Sequence, residues 1–258
     1  MRDVVPVGKT RDSEYLFDRM TQCTLELARP GSGRRVLDVA SGFGQDAIAL
    51  SRRGVWAVGA EPSARMTALA RLQAEKSPGP SPLWIRSWAH ALPFPDDSFD
   101  GVICKGALDH FDRPDAAIAE MARVTQPGGR VVLAVANFAS FSCRAARGID
   151  VIKEDWLKRA LPRGRRHYDV PSDHFTRYEL DLMREHACRS LVLEVELGVS
   201  MAWGLPGWTR SVDRLPTRLA QATLGILDRL AQLLPGLSDV VVLAGRPRDI
   251  REASTISS

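Results

Sequence analysis

VLDVASGFGQDA, residues 36–47, is the stretch whose reading decides the fold. A short apolar run ends abruptly in small residues and glycines, and a helical stretch, GQDAIALSRRG, then runs to Gly54. That succession reads as a strand, a tight turn and a helix. Gly42 and Gly44 permit backbone angles that other residues avoid, so the chain can turn sharply and approach a ligand closely. The helix behind the turn begins with unsatisfied N–H donors and the positive end of its dipole. Asp38 closes the strand, at the edge where open α/β sheets hold ligands. An ordinary β–α turn remains an alternative on this stretch alone.

Moving outward, AVGAEPSARM (57–66) repeats the arrangement, and Glu61 closes the second strand seventeen residues after Gly44. A carboxylate at that strand tip can accept both hydroxyls of a ribose, because the second strand ends beside the first turn. The competing role is a surface Glu that caps the next helix. Together the two signals point to a nucleoside-bearing cofactor, without separating a nicotinamide dinucleotide from S-adenosylmethionine.

The alternation continues. A helix is expected from Ser63 to about Lys76, then a Pro-rich loop SPGPSP, strands at LWIRSW (83–88) and FDGVIC (99–104), a helix at DAAIAEMARVT (115–125) and a strand at RVVLAVA (130–136). Strands joined by helices of this length predict a parallel sheet with right-handed crossovers. Upstream, residues 12–28 carry Leu16, Met20, Cys23 and Leu27 at helical spacing, and PGSGRR breaks that helix.

The second half differs. Residues 138–175 are Arg-rich and irregular, with one helix expected near KEDWLKRAL (153–161). Thr176 and Glu179 form a T-x-x-E pattern, which predicts a capping box opening the helix RYELDLMREHA. SLVLEVEL and SDVVVLAGRP read as strands. Residues 213–234 read as one long amphipathic helix, whose Leu219, Leu227, Leu230 and Leu234 are expected to pack into the core rather than face a membrane or partner. No internal repeat is present.

Composition bounds the class. The 258 residues are 45% hydrophobic and 26% charged, ordinary for a globular domain. The net charge of +4 is too mild, and the aromatics too dispersed, to suggest nucleic acid. The four cysteines, Cys23, Cys104, Cys143 and Cys188, form no C-x-x-C pair, so no metal is expected and a reducing compartment is the simplest reading. Neither a signal peptide nor a membrane span is expected, which places the chain in the cytoplasm.

ALPFPDDSFDGVICKGALDHF (91–111), followed by EMARVTQPGGRVVLAV (120–135), resembles the class I S-adenosylmethionine-dependent methyltransferases, and most of all their small-molecule and quinone-type branch. The order L-P-F, S-F-D, D-H-F and R-V-x-x-P-G-G-R carries the likeness, and dinucleotide dehydrogenases do not show it at this spacing. It covers residues 34–137 well and SDHFTRYELDLMREHA more weakly. The resemblance implies a Rossmann-like α/β three-layer sandwich. Its seven-stranded sheet would be mostly parallel with an antiparallel last strand, and a helical cap would be inserted after strand 5. The divisions expected are an arm and helix (1–33), the cofactor-binding core (34–137), an acceptor cap (138–175), the completion of the sheet (176–247) and a disordered tail (248–258).

S-adenosyl-L-methionine is the cofactor the resemblance implies. Asp38, Ala40, Gly42 and Gly44 would surround its methionine part, Glu61 would hold the ribose hydroxyls, and Pro62 and Met66 would border the adenine. Trp88 and Ala89 would face the adenine edge and ring, Lys105 and Gly106 would line the methionine end, and the PGG at 127–129 would be a structural turn. Two departures stand out. Ala40 replaces the family's first glycine, and Trp88 stands where the family usually has an Asp that bonds the adenine amino group. An indole offers only an N–H donor, so Trp88 stacks on adenine, or a backbone carbonyl meets the amino group in its place, or Trp88 points into the core.

Transfer of a sulfonium methyl mainly requires an aligned acceptor and sometimes the removal of a proton. His110 and Asp109, just after the fourth strand, are the catalytic candidates, with a structural hydrogen-bonding role as their alternative. His167, Tyr168, Asp173 and His174 form a second cluster, in which His174 is expected to cap or pack. Tyr15 could close over the cofactor or sit in core. The basic RRHY run, with Lys158, Arg159 and Arg163 before it, suits an acidic acceptor or a solvated face. The expected partner is a small-molecule acceptor, methylated on oxygen or carbon. An NAD(P)-dependent oxidoreductase, from the loose G-x-G-x-x-A fit, and a non-catalytic cofactor-binding module are the alternatives.

Overall fold

Seven apolar runs become the strands of one sheet in the computed structural model, which describes residues 10–29, 31–156, 158, 168–169, 172 and 174–248. The strands are β1 (Arg35–Val39), β2 (Trp56–Ala60), β3 (Leu83–Ile85), β4 (Phe99–Lys105), β5 (Thr125–Ala136), β6 (Leu191–Val199) and β7 (Val240–Pro247). Their spatial order is β3-β2-β1-β4-β5-β7-β6. The first five run parallel, and β7 lies antiparallel to both β5 and β6. This is the expected mostly parallel sheet with an antiparallel last strand.

Both faces of the central strands are apolar, because helices cover both. Leu37, Val39, Val102, Cys104 and Leu133 face α4 (Pro114–Val124) and α6 (Leu180–Ser190), which contribute Ile118, Met121, Met183 and Ala187. Val36, Ile103, Val132 and Ala134 face α1 (Arg11–Leu27), α2 (Gln45–Ser51) and α3 (Ala64–Glu75). Side chains alternate across a strand, so one residue step separates the two cores. Ser63 caps α3 by accepting from the Met66 amide at 3.3 Å. Between Thr125 and Arg130 the ladder with β4 slips, and Gly128 has φ +79°, which is where Pro127–Gly129 turns.

The C-terminal half departs from the sequence reading in three places. The helix expected at 153–161 begins twelve residues earlier: α5 spans Phe141–Val151, opened by Ser140, whose hydroxyl accepts from the Cys143 amide, and passes into a π turn at Ile152–Trp156. Residues 159–161, like His167, Asp173, Arg159 and Arg163, lie outside the described residues. The capping box does not form. α6 starts at Leu180, Glu179 itself is the residue before it, and neither side chain caps it. The Thr176 amide bonds the Asp109 carbonyl instead, so a tertiary contact outbids the local motif.

The third departure is the long helix. Pro216 divides it into α7 (Trp208–Arg214) and α8 (Thr217–Leu233), with Leu215 extended at ψ 148°, as a residue before proline prefers. The face of α8 that is buried consists of Ala220, Leu224, Asp228 and Ala231. Leu219, Leu230 and Leu234 are exposed, so the leucine row is not a core stripe. Asp228 takes the inward place because it accepts from Arg19 Nε at 2.9 Å, the Ser200 amide at 3.0 Å and Gln232 Nε2 at 3.0 Å. Tyr15 packs beside this helix with Val212 and Leu224, in a satellite core away from the glycine turn.

Candidate functional site

The carboxyl ends of β1, β2 and β4 bring the sequence candidates to one edge. After β1 the chain turns through Ala40 (φ 56°), Gly42 (φ 54°) and Gly44 (φ 82°). Left-handed backbone costs a residue with a Cβ about 1–2 kcal/mol, so the alanine at 40 sits under strain that a glycine would not feel. The two glycines serve different ends. A Cβ on Gly44 would stand 2.3 Å from the Trp84 ring and 3.0 Å from Ala70 Cβ, whereas a Cβ on Gly42 would meet only the Met66 methyl, at 3.8 Å. Gly44 therefore leaves room for the Trp84 indole, and Gly42 leaves the turn itself open.

Glu61 is drawn onto that turn. It is only 8% exposed. Its Oε2 accepts from the Gly42 amide at 3.0 Å and its Oε1 from the Ser63 amide at 2.9 Å. It thus ties the start of α3 and also reaches the glycine turn. Each oxygen keeps a lone pair for a further donor, such as a ribose hydroxyl.

Asp38 is buried behind the turn and accepts from the Ala47 amide at the start of α2. Burial, reinforced by the neighbouring Asp46, raises its carboxyl well above the usual carboxylate range, and Lys105 opposes that rise. Lys105 Nζ is 2.7 Å from Asp46 Oδ1 and donates to Thr21 Oγ1 at 2.6 Å, which joins β4, α2 and α1. The raised Asp38 carboxyl, buried at this sheet edge, is the kind of perturbed titration that marks functional sites. Pro62 and Met66 are half-buried alongside, and Ala89 is buried. Trp88 is 63% exposed, its ring stacked on His90 at 6.2 Å, so the core placement is ruled out and its face is open to solvent.

Past β4, Leu108–His110 forms a 3-10 turn. Asp109 is buried in it, and its carbonyl accepts from the Phe175 and Thr176 amides at 2.8 and 3.2 Å. That clasp sets His174 against His110, with ring centroids 4.1 Å apart and edge to face, and puts His174 Nδ1 3.4 Å from Asp109 Oδ2. His174, assigned to capping or packing, thus joins the catalytic candidates. The sequence carried no spacing signal for this, because 64 residues separate the two histidines. Tyr168 lies elsewhere, donating to Asp150 Oδ2 at 2.9 Å.

Residues 37–133 match the methyltransferase domain family. Across those residues the chain resembles the class I S-adenosylmethionine-dependent methyltransferases. Over 142 residues, 55% of the chain, it is 36% identical to a demethylmenaquinone methyltransferase of Mycobacterium tuberculosis, of which that stretch covers 56%. Over 160 residues it is 33% identical to the demethylmenaquinone methyltransferase of Renibacterium salmoninarum, covering 60% of that protein. The chain thus spans little more than half the length of the curated relatives it matches. A solved SAM-dependent methyltransferase of Thermotoga maritima, described as a possible histamine N-methyltransferase, superposes with a TM-score of 0.58 at 16% identity, over 92% of each chain. That likeness establishes the fold alone. S-adenosyl-L-methionine is the cofactor that the sequence likeness implies, and the edge described above fits it: an open glycine turn, a carboxylate with spare lone pairs at the second strand tip and an exposed aromatic face beside them. Among the described residues, no helix is long and apolar enough to cross a membrane.

Proposed function

We propose that the protein transfers the methyl group of S-adenosyl-L-methionine to oxygen or carbon of a small acceptor with a quinol-type ring. The observation that carries this reading is the bond between Glu61 and the Gly42 amide, which sets a carboxylate on the glycine turn at the edge where Asp109 and His110 also lie. The identity with two demethylmenaquinone methyltransferases supports the ring class.

In this assignment the cofactor supplies an electrophilic methyl on a sulfonium. Glu61 holds the ribose, and the backbone around Gly42, with Asp38 behind it, receives the amino-acid end. Trp88 covers the adenine by stacking, which answers the departure from the family's Asp, and Ala89, Pro62 and Met66 line the same side. Lys105 acts as a positioning residue, because its ammonium is already engaged by Asp46 and Thr21. His110 and Asp109 face the acceptor. The four cysteines are free thiols, three of them buried, which supports a reducing compartment such as the cytoplasm.

The test is calorimetric titration with S-adenosylhomocysteine, NAD and NADP in turn, followed by transfer of labelled methyl to a demethylmenaquinone analogue with a short side chain. Binding of S-adenosylhomocysteine with labelled product is expected. Binding of a nicotinamide cofactor in its place would support the oxidoreductase, and tight S-adenosylhomocysteine binding without transfer to any ring acceptor would support a non-catalytic module.

A further inference from the structure

Asp109, His110 and His174 offer a carboxylate and two imidazoles whose ligating atoms all lie within 4.8 Å of one another. We propose that this cluster binds one divalent cation of borderline softness, of the Zn²⁺, Co²⁺ or Fe²⁺ class, at the acceptor end of the site. The inference rests on the methyltransferase reading only for what the ion would do, and not for whether it binds.

Four observations carry it. The donor set is the first: two imidazoles and one carboxylate are the ligands that zinc and non-haem iron share in sites that keep positions open. Spacing is the second. Two ligands on a tetrahedral ion with bonds of about 2.0–2.1 Å lie roughly 3.3 Å apart, and His174 Nδ1 and Asp109 Oδ2 are 3.4 Å apart. That is long for a charge-assisted hydrogen bond, which runs about 2.7–2.9 Å. The third is burial. Asp109 is 3% exposed, and its Oδ1 has no hydrogen-bond partner among the described residues. A buried carboxylate oxygen is expensive to leave unpaired, and a cation is the strongest partner available to it.

The fourth observation is that the cluster is held from outside itself. The Asp109 carbonyl takes both the Phe175 and Thr176 amides, so the turn after β4 and the segment before α6 cannot separate without breaking two backbone bonds. Phe138 closes one side, its ring 6.0 Å from that of His174. An ion so placed has three protein ligands and open positions, which suits it to hold an oxygen of a ring acceptor and make it more acidic. The absence of paired cysteines, from which no metal was expected, does not bear on a site made of imidazole and carboxylate.

The experiment is titration of the metal-stripped full chain with Co²⁺, followed by its visible absorption, and with Zn²⁺ by calorimetry. One ion per chain is expected, with Co²⁺ bands in the range of low coordination number, weakened on the order of a hundredfold in His174→Ala and in His110→Gln. S-adenosylhomocysteine binding should persist in both variants, which separates this proposal from the cofactor reading and shows that the fold survives. Failure of the unmodified chain to bind Co²⁺ or Zn²⁺ would overturn the proposal and leave the cluster as a proton-handling or purely structural group. Unchanged affinity in His174→Ala would overturn the ligand set.

Discussion

Replacing Gly44 and Gly42 by alanine, one at a time, tests whether the two glycines of the decisive turn do different work. At Gly44 the added methyl meets two obstacles. The backbone has φ 82°, and the Cβ would stand 2.3 Å from Trp84 Cη2, 2.8 Å from Cζ3 and 3.0 Å from Ala70 Cβ. Left-handed strain costs about 1–2 kcal/mol, and forcing a methyl into a filled core costs about 1–3 kcal/mol more. Trp84 cannot swing away easily, because the same ring edge lies where a Cβ on Gly59 would come within 2.4 Å. Gly44→Ala should therefore lose roughly 2–5 kcal/mol, or about 2–4 °C in Tm for each kcal/mol in a chain of this size. At Gly42 only the strain applies, since the nearest atom is Met66 Cε at 3.8 Å. Gly42→Ala should lose only about 1–2 kcal/mol of stability, yet bind S-adenosylhomocysteine at least about tenfold more weakly, because its methyl projects into the open turn. Differential scanning calorimetry gives the first quantity and titration calorimetry the second. A Gly44 variant as stable as the Gly42 variant would show that Trp84 does not set the shape of the turn.

Three further outcomes are expected. Glu61→Ala should weaken S-adenosylhomocysteine by about tenfold or more, some 1.4 kcal/mol; unchanged affinity by calorimetry would remove Glu61 from the site. Burial pushes the Asp239 carboxyl up to about 6, against the Trp203 amide and the Ser142 hydroxyl, which lower it. The folded state therefore holds a proton that the unfolded chain has released, so this group's stabilisation is greatest below pH about 4 and fades as pH rises to 6, by roughly 3 kcal/mol in all. Asp239→Asn should flatten that decline in a series of urea titrations, and parallel pH profiles would contradict it. On α8, Ile226→Gln and Leu230→Gln should change the unfolding free energy from urea titration by no more than about 0.5 kcal/mol, whereas Leu224→Ala should cost about 2–5 kcal/mol; equal costs would restore the leucine row to the core.

The sheet was legible because each strand carries its own instructions. VLDVA, VWAVGA, FDGVIC and RVVLAVA are apolar on both faces and punctuated by glycine or proline, so their identity needs no tertiary information. The placement of Glu61 and Asp38 at one edge was legible for a related reason: parallel strands end on the same side of the sheet. What escaped the reading depended on distant partners. The capping box at Thr176 failed because the Asp109 carbonyl, 67 residues earlier, claims its amide. The inward face of α8 was misassigned because Asp228 finds Arg19 and Ser200 across the fold, and no local rule would place an aspartate inside in preference to leucines. His174 was set aside on the same ground, since its neighbours are brought to it by a loop and not by spacing.

The position of β7 has a consequence for synthesis. Residues 240–247 bond β5 on one side and β6 on the other, so they form an interior member of the sheet although six strands precede them. Until they leave the ribosome, the Leu191–Val199 segment has no neighbour to align on, and the open rim of β5 stays available to foreign strands. A nascent chain stalled before Val240 would therefore be a frequent client of chaperones, and the sheet would close only once residues 240–247 have emerged.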